Sequence, residues 1–437
     1  MSRKNSWMMP LILVVMVLLM ACAPAATPAP TATKPPAAPK ATSPAGGGQE
    51  PTKAAPAPTQ ASAKPAGDPI KVAFLAHLSF PPFAAMMKTC QDAGDLEVAN
   101  LNAKGGVLGR PVSMVTEPIS DKGEEAAAAM EKLISRDKVV AVIGPELMNT
   151  LLAAVPVAEK YQVATFGAMQ ADARETEQGY KSHFAISSRA PDRAQAFVDF
   201  MVGALKPKPE RVAILTENSD YGASEHPFLD KAAKAAGLNV VASEEYSAFG
   251  TVDYKSLLTK VKGTNPDVVL MIGFIGDAIQ LMKQSKEVGL DAKLFIGQSG
   301  WDQADFLKGA ADAANYAVAQ VPFFRDAKWA GAKEFDQQYL AKYGFHPYYE
   351  CVQVAGSVDI VVDAIKRANS ADPVKVRDAI KSTDMNSMIG PVKFDAKGQN
   401  LQNFLFVQAQ NGDHKLVWPA AQASTSLVYP VPPLSKR

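Results

Sequence analysis

From Ile70 onward, short apolar runs alternate with amphipathic stretches, a rhythm that predicts parallel sheets covered by helices. Ile70–Ala76 is apolar apart from Lys71, as a strand covered on both faces requires. About twenty residues of helix follow and stop at Gly105-Gly106, where glycine supplies the left-handed helix end. Strand 112–116, helix 124–136 with Met130, Leu133 and Ile134 on one face, and strand 139–143 ending at Gly144-Pro145 come next. Helix 151–161 and strand 163–166 close this run. After Phe184 the pattern restarts: helices 192–205, 224–236, 253–262 and 277–288 alternate with strands 211–216, 239–243, 267–272 and 293–297. Two runs imply two sheets in an α/β chain. Ligands of open parallel sheets bind beyond the carboxyl ends of the strands, so the loops after Ala76, Ile143, Phe166, Thr216, Ile272 and Gly297 form the candidate site.

The front of the chain breaks the pattern. Arg3 and Lys4 precede an apolar stretch from Trp7 to Ala21 that contains no acid, the composition of an export signal. The stretch is short for a span of ~20 residues and contains Pro10. Leu19-Met20-Ala21-Cys22 resembles the lipobox of bacterial lipoproteins, which implies removal of residues 1–21 and acylation of Cys22. Residues 23–67 contain no Leu, Ile, Val, Met or aromatic side chain but many Ala, Pro and Thr, so they cannot build a core. Residues 22–68 read as a tether, extended at roughly 3 Å per residue where prolines cluster.

Charge and chemistry narrow the function by exclusion. Residues 68–437 hold 39 basic and 43 acidic residues, a balance that offers no grip on nucleic acid. The three cysteines lack C-x-x-C spacing, and His77, His183, His226, His346 and His414 are scattered, so no metal-ligand pattern emerges. His77 follows the first strand and reads as a solvated loop residue or, as the alternative, a residue lining the cleft, and the other four read as surface or hinge residues. The sequence lacks G-x-S-x-G, G-x-x-x-x-G-K-[ST] and G-x-G-x-x-G, which removes the usual signatures of a serine hydrolase and of a nucleotide cradle. These observations predict a protein that is not an enzyme and that carries no cofactor or metal.

Several phrases then carry a resemblance: Asn102-Ala103-Lys104-Gly105-Gly106-Val107-Leu108-Gly109-Arg110-Pro111, Val142-Ile143-Gly144-Pro145, Pro156-Val157-Ala158-Glu159, Tyr221-Gly222, Asn265-Pro266-Asp267-Val268-Val269 and Ile389-Gly390-Pro391-Val392-Lys393-Phe394-Asp395. In this order they resemble the type I extracytoplasmic solute-binding proteins of ABC importers, in the leucine, isoleucine and valine branch. The resemblance implies two doubly wound parallel-sheet lobes, 69–188 plus 322–403 and 189–321 plus 404–437. Three crossovers would fall near 187–191, 320–324 and 402–406, and the lobes would close on a ligand as a hinge. The implied partners are a small-molecule ligand, a membrane permease and, through the lipid alone, a membrane. The implied state is an extracytoplasmic, lipid-anchored monomer. Two rival readings are a sensor domain of the same fold and an exported enzyme. Cys90 and Cys351 would share one lobe in an oxidising compartment, as a disulfide or as two buried thiols.

In amino-acid binders of this branch, hydroxyls of the first lobe hold the ligand carboxylate, and an acid of the second lobe pairs with the ammonium. The corresponding positions here are Met148 and Asn149, Met169, Gln170 and Ala171, and Ser299 in place of the acid. Ser79, Phe80, Phe83 and Met86 of the first loop, with Tyr221, Phe274 and Trp301, would supply apolar walls. Burying an ammonium without a carboxylate is costly, so the sequence favours an apolar or aromatic carboxylate held by backbone N–H groups after Glu146. A branched-chain or other hydrophobic amino acid is the alternative, if Asp220, Asp277 or Asp302 replaces the missing acid. For Cys22, metabolic labelling with a fatty acid should mark the wild type and leave Cys22→Ser unlabelled; equal labelling would show that this cysteine is not acylated.

Overall fold

The computed structural model describes residues 64–169, 174–247, 253–401 and 404–437. Cys22 and the tether up to residue 63 lie outside the described residues. The first sheet contains β1 (Ile70–Ala76), β2 (Val112–Pro118), β3 (Ala141–Ile143), β4 (Ala164–Gly167) and β5 (His183–Ala185) in the order β2-β1-β3-β4-β5, all parallel. Helices α1 (Pro81–Ala103), α2 (Gly123–Ser135), α3 (Met148–Tyr161) and the short α4 (Arg174–Glu177) connect these strands. Along β1, Val72 and Phe74 face one hydrophobic cluster while Ala73 and Leu75 face another, against α2 and α3. Covering both faces in this way is why the strand is apolar almost without interruption.

The second run builds β6 (Arg211–Glu217), β7 (Asn239–Tyr246), β8 (Val268–Ile272), β9 (Leu294–Gln298) and β10 (Val318–Val321), linked by α5 (Ala190–Gly203), α6 (Asp220–Ala235), α7 (Lys255–Gly263), α8 (Ile275–Val288) and α9 (Ala304–Ala310). Helices α10 (Ala332–Tyr343), α11 (Tyr349–Ala368) and α12 (Pro373–Lys381) then return to the core of the first sheet, followed by the hairpin β11 (Asp384–Ser387) and β12 (Gly390–Lys393). Finally β13 (Leu405–Gln410) and β14 (Asp413–Trp418) extend the second sheet to the order β14-β13-β10-β9-β8-β6-β7. The last two strands pair antiparallel, so this sheet is parallel only from β10 to β7. A chain that re-enters at the edge without a covering helix makes a hairpin, the connection antiparallel strands allow. Among the described residues, passages between the sheets run through 186–189, 322–331 and 394–401.

Helix α6 begins four residues before the sequence-based start because Ser219 caps it, its hydroxyl accepting the Tyr221 N–H at 3.3 Å. Cys90 of α1 and Cys351 of α11 are joined by a disulfide that links two helices 261 residues apart, and both cysteines are fully buried. Crosslinks over such long loops typically contribute about 2–4 kcal/mol.

The same helix pair contains a buried carboxyl pair. Glu97 of α1 and Asp359 of α11 hydrogen-bond through their side chains, and burial, followed for Asp359 by the charge of Glu97, raises the pKa of Asp359 well above the usual range. A raised carboxyl pKa stabilises the fold at low pH and loses that contribution as pH rises through the folded value. The thermal midpoint of the wild type should therefore fall more steeply than that of Asp359→Asn as pH rises above the usual carboxyl range. Parallel curves would show that the pair does not titrate there.

Candidate functional site

The strand ends of the first lobe hold a chain of buried polar groups. His77, directly after β1, is fully buried rather than solvated. Its Nδ1 lies 2.8 Å from the Ser120 carbonyl, while Nε2 accepts the Leu147 N–H at 3.2 Å and lies 3.3 Å from Thr150 Oγ1. That pattern places the proton on Nδ1, and burial lowers the pKa, so the ring is a neutral staple between β1, the loop after β2 and the start of α3. His183 and His414 are likewise buried, not surface residues; His183 Nε2 meets Glu175 Oε1 at 2.9 Å. One N–H expected to hold a ligand carboxylate at the start of α3 is thus already committed to His77.

After β3 the chain turns at Gly144, where φ is +86° and a Cβ would meet the Leu75 carbonyl oxygen at 2.5 Å, so only glycine fits. The turn buries Glu146, whose Oε2 accepts the Met169 N–H at 2.8 Å and so ties the loop after β4. Burial raises its pKa to about 8, opposed by the N–H groups of Met169 and Ala168 and reinforced by Glu175 and Glu350.

In the second lobe, Tyr221 and Glu225 lie four residues apart and therefore share a face of α6. Arg193 of α5 makes a buried ion pair with Glu225 and donates to the Ser188 carbonyl at 2.7 Å, while its own carbonyl accepts from Gln320 at 3.0 Å. The guanidinium lies 6.0 Å from the centre of the Tyr221 ring. Tyr221 also sits 2.8 Å, hydroxyl to hydroxyl, from Ser299 and 5.5 Å, ring to ring, from Phe274. Facing them from the first lobe are Tyr349 and Glu350 in the first turn of α11, within electrostatic reach of Tyr221, Asp302 and Arg193. Burial, then the charge of Asp302, raises Glu350 to about 7. Burial raises Asp302 to about 6 against the N–H groups of Asp302 and Gly300.

The structure brings together Tyr221, Phe274 and Ser299. Met86 and Met169 are half-buried against the first core, Met148 is half-buried at the start of α3, and Phe80 stacks on Phe83 at 5.7 Å. Ser79 is exposed and its N–H is taken by the Ile119 carbonyl. Two expected wall residues are elsewhere. Asn149 is exposed and donates to the Asp121 carbonyl at 2.6 Å, which turns it toward the loop before α2. Trp301 is 1% exposed and packs on Phe306, because the core of the second lobe takes up its ring. Asp277 is also buried and accepts the Tyr254 hydroxyl at 2.8 Å, away from Ser299. Gln170 and Ala171 lie outside the described residues.

Sequence reasoning missed Arg193, Glu225, Tyr349 and Glu350. For Glu225 the signal was its spacing from Tyr221. No local signal marks α11 as facing α6. Among the described residues, no cluster of three or more His, Cys, Asp or Glu side chains could hold a metal ion.

Residues 69–414 match the family model described as periplasmic binding protein. The chain is 28% identical over 392 residues to Leu/Ile/Val-binding protein homolog 7 of Brucella abortus (strain 2308), covering 85% of this chain and 96% of the relative. It is similar to the solved branched-chain amino acid transporter substrate-binding protein LivJ from Streptococcus pneumoniae in complex with isoleucine, at 25% identity and TM-score 0.68, over 80% of this chain and 100% of that one. It shares the fold of an ABC transporter solute-binding protein from R. palustris in complex with benzoate, at 20% identity and TM-score 0.66, over 82% and 98% of the two chains.

Glu225→Gln should destabilise the protein by about 3–5 kcal/mol in urea unfolding, because it leaves the Arg193 charge buried without its partner. The double variant Arg193→Met, Glu225→Met should recover much of that loss. A loss below about 1 kcal/mol for Glu225→Gln would show that the pair is solvated.

Proposed function

Because the chain belongs to the periplasmic binding protein family, we propose that it captures a small solute between two lobes, 69–188 plus 322–403 and 189–321 plus 404–437, and passes it to an ABC permease. It is a solute-binding protein of a transporter, not an enzyme. Among the described residues no helix is long and apolar enough to cross a membrane. In this reading acylated Cys22 holds the protein at the outer face of the membrane, and the tether lets the lobes reach both solute and permease.

The ligand class follows from charge. Ser299 alone argues for an ammonium-free carboxylate, and the benzoate-bound structure of similar fold keeps that second reading in view. The pairing of Asp302 with Glu350 weighs more heavily. Two carboxyl groups from opposite lobes, both raised by burial and Glu350 further by the charge of Asp302, are relieved by a cation placed between them. Arg325, the guanidinium that acts on Asp302, is paired with Asp413, Arg193 is neutralised by Glu225, and Glu146 already occupies the Met169 N–H. The favoured ligand therefore has an apolar body and a protonated amine, in the manner of a hydrophobic amino acid, with Tyr221 and Phe274 against its apolar part.

Calorimetric titration with leucine and with benzoate separates the two readings. Leucine affinity should fall as pH drops from about 7.5 to about 5, because Asp302 and Glu350 take up protons and lose the charge that attracts the ammonium. Asp302→Asn should weaken leucine binding about tenfold or more. Benzoate binding that strengthens toward acid pH, with no heat from leucine, would instead establish the carboxylate reading.

A further inference from the structure

The three passages between the sheets are tied to one another by side chains at their roots. Backbone bonds from Ala185 to Gly398 and Asn400, each 2.9 Å long, set the first and third passages side by side. Gln399 extends this pairing beyond β5, its Nε2 donating to the Ser187 carbonyl at 2.6 Å. The next carbonyl, that of Ser188, accepts from Arg193 at 2.7 Å. The carbonyl of Arg193 in turn accepts from Nε2 of Gln320 at 3.0 Å, at the end of β10 where the second passage begins. All three donors are buried, in surroundings where such bonds are stronger than in water.

The remaining contacts of the second passage are largely apolar. Phe323 packs into the core of the first lobe and Phe324 into that of the second, while Trp329 lies against both. Apolar contacts tolerate sliding, whereas a hydrogen bond weakens steeply once its length or angle departs from the optimum. The polar ties are therefore the contacts that favour one spacing of the passages over others. The same Arg193 also reaches toward the solute side. Its guanidinium pairs with Glu225 and lies 6.0 Å from the centre of the Tyr221 ring, and Tyr349 of the first lobe is within its electrostatic reach.

On the solute-binding reading given above, we infer that Gln399 and Gln320, acting through Ser187 and Arg193, are positioning residues that hold the lobes in the arrangement where α11 meets α6. Losing one tie moves part of the population into other arrangements, and the apparent affinity for the solute falls with the fraction that remains competent.

Replacing glutamine by methionine keeps the length of the side chain and removes the donor. Calorimetry with leucine on the full chain should give about fivefold weaker binding in Gln399→Met and in Gln320→Met. Small-angle scattering should show a larger radius of gyration for each ligand-free variant than for the wild type, and equal radii once leucine saturates. The two variants remove ties on different elements, so one that fails to fold leaves the other to decide. Gln408→Met is the control, because Nε2 of Gln408 donates to the Tyr316 and Val428 carbonyls at 3.1 and 2.9 Å, all within the second lobe. It loses buried amide bonds of the same kind and should change neither affinity nor radius. Lowered thermal midpoints with wild-type affinity and radius, weaker binding with an unchanged ligand-free radius, or an equal effect of Gln408→Met would each overturn the proposal. The ligand-free radii require no solute, so a wild type that gives no heat with leucine would count against the favoured ligand while scattering still decides the ties.

Discussion

A parallel strand with neighbours on both edges and helices on both faces has one place left for chemistry, the loop at its carboxyl end. Most of this architecture follows from that constraint. Val72 and Phe74 are covered on one side and Ala73 and Leu75 on the other, so after Lys71 at its start β1 carries nothing polar, and the next polar residue, His77, appears at its end. The same holds for β6 and β9, which run apolar until Thr216-Glu217 and Gln298-Ser299. The strand ends therefore collect buried polar side chains in both lobes, and Tyr349 at the start of α11 lies within electrostatic reach of Tyr221 on α6.

Collected there, the polar groups must satisfy one another in a medium poorer than water at solvating charge. They do so in two ways. Arg193 and Glu225 stay charged as a pair, braced by the Ser188 carbonyl of the first passage, which ties the end of α5 to the segment that links the lobes. Glu146, Glu350 and Asp302 instead have their pKa values raised into or near the neutral range by burial. Groups raised in this way change charge near neutral pH rather than far below it.

Away from the strand ends, the first lobe is held as one body by long-range links. The Cys90–Cys351 bridge and the Glu97–Asp359 hydrogen bond both join α1 to α11, which come from opposite ends of the chain. They fix the helix whose first turn presents Tyr349 and Glu350.

The local pattern was enough to place β1 to β4 and β6 to β9, since burial on two faces leaves an apolar run, as in Ile70–Ala76, but it did not mark β5, β10, β13 or β14. It also located Tyr221, Phe274 and Ser299, because strand ends are where such runs stop. Periodicity was less informative where capping set the boundary, as at Ser219, and where a buried ring looked like a cleft wall, as with Trp301. The acids that face the second lobe and the neutral, stapled state of His77 lay beyond it altogether. Those depend on which segments, hundreds of residues apart, are packed together, because the charge of a buried carboxyl or imidazole is decided by the atoms around it and not by its neighbours along the chain.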